Sequence, residues 1–345
     1  MRMLADPRIS TPDLHIDPYA PAEMAGRAQA AGVAKSRLDT LTTLTLGVLA
    51  GSFIALGAQL ATVVGVESAL GYGPTRLLAG VAFSVGLILV IIAGAELFTG
   101  NTLIVMAWLG KQVTTNQLLR NWTLAYLGNF AGALGVVALL YWSGQWSLSG
   151  DAVGRSAVIT ASNKVDLSFS EALTRGILCN ALVNLAVWLC FSARSNVDKI
   201  FAIIPTIAGF VASGFEHSVA NMYLIPIGIL LKDEPSLGAD ASPNLTWSGF
   251  IIDNLLPVTL GNVIGGGVLV AAVYWLVYLR PKATPPAGTE KQAVRQSSPR
   301  ESLGLAGVPA VEAIDSEAAV GTADGGSGGA DDEGSRLRLR EDPPA

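Results

Sequence analysis

Two hydrophobic stretches of this 345-residue chain are broken near their centres by one polar pattern, G-x-E-x4-N. The first copy is Gly94-Ala95-Glu96-Leu97-Phe98-Thr99-Gly100-Asn101, and the second is Gly214-Phe215-Glu216-His217-Ser218-Val219-Ala220-Asn221. His217 is one of two histidines, the other being His15. In a soluble core a lone histidine is more often a packing residue, but in a membrane an ionisable group is costly and lines a polar path. Imidazole changes charge near neutral pH after a small environmental shift, so His217 is the first candidate to donate a proton or hydrogen bond. No second histidine in a span, cysteine pair at ligand spacing or H-E-x-x-H motif accompanies it, which argues against a metal site. Ser218 and Thr99 sit in no nucleophile elbow, so hydrolysis is unsupported and no cofactor is expected.

Glu96 and Glu216 would repel an anion if they faced its path. They read instead as braces, accepting hydrogen bonds from backbone amides freed by the breaks or, for Glu216, pairing with Lys164, with Asn101 and Asn221 bracing alongside. The new helix N-termini carry unsatisfied N–H groups and partial positive charge, which suits an anion better than a cation. Phe98 and Phe210 each neighbour a break rather than a continuous packed stripe, and read as bulky apolar gates.

The elements that must position these groups are membrane spans. Only 14% of residues are charged and mean hydropathy is +0.48, too apolar for an ordinary soluble domain. Stretches near the length needed to cross a ~30 Å hydrocarbon layer run through 41–64, 77–95, 121–150, 176–193 and 254–279, and a sixth, 200–231, is interrupted only by Glu216 and His217. Residues 1–20 carry Pro and acidic residues and no apolar run, against a cleaved signal peptide. Lys35, Arg37, Lys111, Arg120, Arg194, Lys199, Arg280 and Lys282 cluster on one side of the six spans, which places both termini in the cytoplasm. The net charge of −5 comes mostly from the tail and says nothing about a permeant. Cys179 and Cys190, on one span and about 16 Å apart at helical rise, are too distant for a disulfide.

Asn121, Leu127-Gly128-Asn129, Gly132 and Tyr141-Trp142 recur as Asn254, Leu260-Gly261-Asn262, Gly265 and Tyr274-Trp275 at the same spacing. The core is therefore a duplication of three spans. An odd number forces the halves to insert with opposite topology. The Gly-x3-Gly pairs place small residues on one face for close helix packing, and Trp122, Trp142, Trp146, Trp247 and Trp275 read as interfacial anchors. Three regions follow: a cytoplasmic segment 1–36 with a short surface helix over Tyr19–Lys35, a six-helix membrane domain 37–280, and a Gly-, Pro- and acid-rich tail 281–345 expected to be disordered.

Both breaks, the run Gly209–Met222 and the run Asp253-Asn254-Leu255-Leu256-Pro257-Val258-Thr259-Leu260-Gly261-Asn262 resemble the signature stretches of the formate/nitrite transporter family, most of all its bacterial formate-channel branch. The likeness covers about Leu41 to Arg280. It implies an all-α, aquaporin-like protomer of six transmembrane helices in two inverted three-helix repeats, helices 2 and 5 broken, assembled as a homopentamer with one pore per subunit in a bacterial inner membrane. It further implies a central His217 hydrogen-bonded toward Thr99 and Asn180, with Lys164 drawing anions in. Apolar constrictions are implied at Leu87, Leu97, Phe98 and Val183 on one side of the histidine and at Phe83 and Phe210 on the other. Glu96 departs from the Asp typical of the channels compared, which bears on the loop carrying Phe98 and Thr99.

The combined reading is a non-enzymatic channel or proton-linked transporter for small monovalent anions, formate first. Its partners are a small monocarboxylate or similar anion, the proton and membrane lipid, with no nucleic acid. The alternatives are nitrite, hydrosulfide, acetate or lactate as permeant, a neutral-solute aquaporin-like pore, and a membrane enzyme or sensor using His217.

Overall fold

The structure, a computed structural model, describes residues 17–281; His15 and the tail beyond residue 281 lie outside the described residues. Every regular element among the described residues is helical. In chain order these are α1 (Pro21–Ser36), α2 (Thr40–Gly65), α3 (Tyr72–Ala93), α4 (Phe98–Leu109), α5 (Thr115–Trp142), α6 (Ala152–Val165), α7 (Phe169–Cys190), α8 (Asn196–Ala212), α9 (Ser218–Leu231) and α10 (Gly249–Leu279). Helices α2, α3, α5, α7 and α10 are long and apolar enough to cross a membrane. The sixth stretch expected from the sequence, residues 200–231, is split into α8 and α9, and α4 follows α3 across the other break in the same way.

Each break begins at a glycine whose left-handed backbone ends the preceding helix: Gly94 at φ +82° and Gly214 at φ +71°. A side chain there would strain the turn, and glycine supplies it freely. In the first half α2 packs on α3 and α5, and in the second α7 packs on α8 and α10; the halves meet where α3 lies on α8 and α9 lies on α5. The expected Gly-x3-Gly pairs act inside the protomer. A Cβ on Gly132 would lie 2.0 Å from the Val48 carbonyl oxygen, and one on Gly265 2.1 Å from that of Ile177, so α5 on α2 and α10 on α7 are in backbone contact.

Three readings of the sequence need correction. The segment carrying Lys164, outside the six expected membrane helices, is a further helix, α6, whose Val153, Ala157, Ala161 and Val165 repeat every fourth residue and are buried where α6 packs on α9. Its polar composition hid it from hydropathy. Helix α1 forms where expected, with Pro21 in its first turn, but it is not simply a surface helix: Met24, Ala25 and Ala28 are buried in a cluster with Met106 and Val270. Trp122 is no interfacial anchor. Its indole N–H donates to the Asn101 carbonyl at 3.0 Å and its ring meets Phe98 edge-on. Cys179 and Cys190 are both free and buried, as expected.

Candidate functional site

The two breaks are supported by the same set of bonds. Lys35, at the end of α1, donates to Glu96 Oε1, and Lys164, at the end of α6, donates to Glu216 Oε1 at 2.8 Å. The other carboxylate oxygen accepts from Asn101 in the first break and Asn221 in the second, each at 2.7 Å. Asn101 and Asn221 also donate to Asn121 and Asn254, which in turn donate to the backbone carbonyls of Lys35 and Lys164. Each glutamate is thus bonded by lysine and asparagine side chains, with Glu216 paired to Lys164 as one of the two readings had it. Burial of each carboxylate is tolerable because lysine and hydrogen bonds compensate it.

The freed amides have other partners. Asn129 Oδ1 accepts from Phe98 N, and its amide donates to the carbonyls of Gly47 and Glu96. Asn262 does the same for Ser218 N, Gly176 and Glu216. The N-termini of α4 and α9 are therefore partly neutralised by side-chain acceptors, and the expectation that their bare N–H groups supply the field for an anion is weakened.

Leu97 holds in the first break the place of His217 in the second, so the histidine is where the repeat departs from its symmetry. His217 caps α9: its Nδ1 accepts from Ala220 N at 3.0 Å, and its Nε2 lies 2.9 Å from Thr99 Oγ1. An Nδ1 that accepts cannot carry the proton, so the neutral ring bears it on Nε2 and donates to Thr99. The hydroxyl of Thr99 keeps its own proton to offer elsewhere.

Asn180 does not bond to His217, a correction to the expected contact. Its amide donates to the Asn262 carbonyl at 2.6 Å and to Thr99 O and Thr102 Oγ1 at 3.3 Å each, leaving Oδ1 buried without a partner. Asn184 adds a donor to Thr99 O at 3.0 Å, and Thr102 Oγ1 another at 2.7 Å. The residue thus holds the backbone of Thr99, which holds the histidine.

A vestibule of about 230 Å³ leads to this pair, lined by Arg76, Phe83, Lys164, Phe210, Glu216 and His217 among others. At its floor Phe83 and Phe210 meet edge to face, ring centroids 5.5 Å apart, with Phe210 6.0 Å from the imidazole. Leu87, Leu97, Phe98 and Val183 are all buried in the large apolar cluster that also holds Phe83 and Phe210. The structure brings Thr99, His217, Phe83 and Phe210 together, sets Lys164 against Glu216, and leaves Glu96, Asn101 and Asn221 as supports.

Reading the sequence assigned no place in the site to Lys35, Asn121, Asn129, Asn254, Asn262, Thr102, Asn184 or Arg76. The four asparagines outside the breaks had appeared only as markers of the repeat, yet an amide in an apolar span is itself a signal, since it must find partners.

The sequence profile of the formate/nitrite transporter family matches residues 22–276. The chain is 43% identical over 277 residues to the formate channel FocA of Escherichia coli K12, covering 78% of this chain and 97% of that one. It is 39% identical over 259 residues to the FocA of Haemophilus influenzae, covering 72% and 91%. A solved structure described as a pentameric formate channel with formate bound superposes with a TM-score of 0.63 at 39% identity, covering 70% of this chain and 98% of the other.

Proposed function

Because the chain belongs to the formate/nitrite transporter family, we propose that it is a channel for small monovalent anions, formate first, acting as a homopentamer of independent pores. The observation that carries this is the Thr99–His217 bond beside the paired phenylalanines of the vestibule. A bare charge in a dry constriction is costly, ~2.5–3.5 kcal/mol even on the mildest scale for ionisable side chains. A permeant entering between Thr99 and His217 meets the Nε2–H and the threonine hydroxyl, two donors able to bind its oxygen. Hydrogen bonds to a charged group contribute about 1.5–3 kcal/mol each, enough to offset that cost.

Proton transfer to the anion is a further step of this reading. It requires a proton on both ring nitrogens, and hence release of the Ala220 N–H cap from Nδ1. The imidazole therefore acts first as a hydrogen-bond donor and as an acid only when the cap opens. The cations at Lys111, Arg120, Arg194, Lys199 and Arg280 support cytoplasmic termini in a bacterial inner membrane.

Formate flux into vesicles carrying the purified protein, followed across pH, tests the proposal. His217→Phe removes the donor and should lower flux by about tenfold or more. His217→Asn supplies an amide donor but no titratable proton, and should conduct with a flattened pH profile. Parental flux in well-assembled His217→Phe would overturn the assignment. Parental rates with the parental pH profile in His217→Asn would remove the proton step alone.

A further inference from the structure

Arg76 is the only charged side chain in α3. It sits near the N-terminus of that helix, where the macrodipole disfavours a cation, so the helix itself does not call for it. Seven residues on, two helical turns or about 10 Å along the same face, lies Phe83. Both line the vestibule, which orders Arg76, the phenylalanine constriction and His217 along one path.

The charges along that path do not balance. Lys164 is held by Glu216 at 2.8 Å with its side chain 13% exposed, so its field is largely answered by the carboxylate. Arg76 has no carboxylate within ion-pair distance among the described residues. Of its five N–H donors, one Nη2–H bonds the Val211 carbonyl, and the buried Nε–H has no acceptor. The vestibule is left with one formal positive charge in excess, and it resides on a planar fork suited to carboxylates and similar oxyanions. Counted back from the break glycines, Asn196 occupies Arg76's place in the second repeat. The guanidinium is thus, like His217, a departure from the symmetry that builds the fold.

We propose that Arg76, rather than Lys164, is the cation that recruits the permeant: a vestibular subsite for a singly charged carboxylate or oxyanion, placed before the Phe83–Phe210 constriction. The proposal rests on the transport reading above. Its structural rival is a helix cap, because Val211 is in the last turn of α8 and its carbonyl, which already accepts from Gly214 N at 3.1 Å, takes Arg76 as a second donor. A cap needs only a neutral N–H, whereas recruitment needs the charge.

Flux of formate into vesicles over a range of concentrations separates the two, read at ionic strengths of about 0.01 M and 0.15 M, where charges are screened beyond ~30 Å and ~8 Å. For the unaltered channel the slope at low concentration should fall as salt rises. Arg76→Gln, which keeps an N–H for Val211, should lower that slope by about threefold or more at low salt, abolish its salt dependence and leave the saturating rate in place. Arg76→Lys should restore the slope. A parental slope in assembled Arg76→Gln, or an equal loss at every concentration, would overturn the subsite while leaving transport standing. If the glutamine variant does not assemble, a slope indifferent to salt in the unaltered channel overturns the subsite, and a salt-sensitive slope kept in Arg76→Lys supports it. An unaltered channel that passes no formate removes both readings.

Discussion

Thr99 and His217 come from opposite halves of the duplication, 118 residues apart in sequence, and neither can be exchanged for an apolar isostere without stranding the other. Thr99→Val keeps the volume near the constriction but removes the acceptor of Nε2–H. A buried donor left unmatched costs about 1–3 kcal/mol, so thermal unfolding of the solubilised oligomer should shift down measurably and formate flux should fall by roughly tenfold, with Thr99→Ser restoring both. Parental flux and stability in Thr99→Val would mean that the pair is a packing contact. At this scale the sequence exposed His217, because an imidazole in an apolar span is costly unless it lines a polar path. It misdirected Asn180, whose amide protons are drawn to the Asn262 and Thr99 carbonyls. Those acceptors depend on how α4, α7 and α10 cross, which residue types alone do not encode.

Among the elements, each half-helix is held at its new end by one asparagine from a neighbouring span. Asn129 and Asn262 each accept one backbone N–H and donate to two carbonyls, so a single side chain satisfies three groups that a continuous helix would satisfy itself. Asn262→Leu leaves Ser218 N, Glu216 O and Gly176 O without partners. The expected result is a loss of roughly 5 °C or more in apparent melting temperature, or failure to assemble, measured by thermal denaturation and size-exclusion chromatography. Asn262→Asp retains the acceptor for Ser218 but neither donor, and should fall between. Equal stability of the leucine variant and the parent would show that the break is held by its lysine–glutamate pair alone. The breaks and the five long apolar helices were legible because hydropathy and glycine mark them. Helix α6 was not, since its buried face is built from Ala, Gly and Val between polar residues, a four-residue period too weakly apolar for a span-length window to detect.

For the whole molecule, the repeat separates what makes the fold from what makes the pore. Lys35 mirrors Lys164, Glu96 mirrors Glu216, and Asn101, Asn121 and Asn129 mirror Asn221, Asn254 and Asn262. These matched residues bond to one another and to backbone, and their duplication follows from having two breaks to hold. His217 against Leu97, Thr99 against Val219 and Arg76 against Asn196 are among the unmatched places, and His217 and Arg76 line the vestibule.

The vestibule, constriction and donor pair are each lined by residues of one chain. If the proposed homopentamer is five such pores, the subunits should fail independently. Co-expressing the parent chain with His217→Phe in controlled ratios, and measuring formate flux per purified oligomer, should give activity that declines in proportion to the fraction of altered subunits. A steeper fall would mean that one blocked subunit closes its neighbours or that permeation runs through a shared central path. The linear outcome is expected because the phenylalanine replaces a side chain whose partners, Phe210 and Thr99, belong to its own chain.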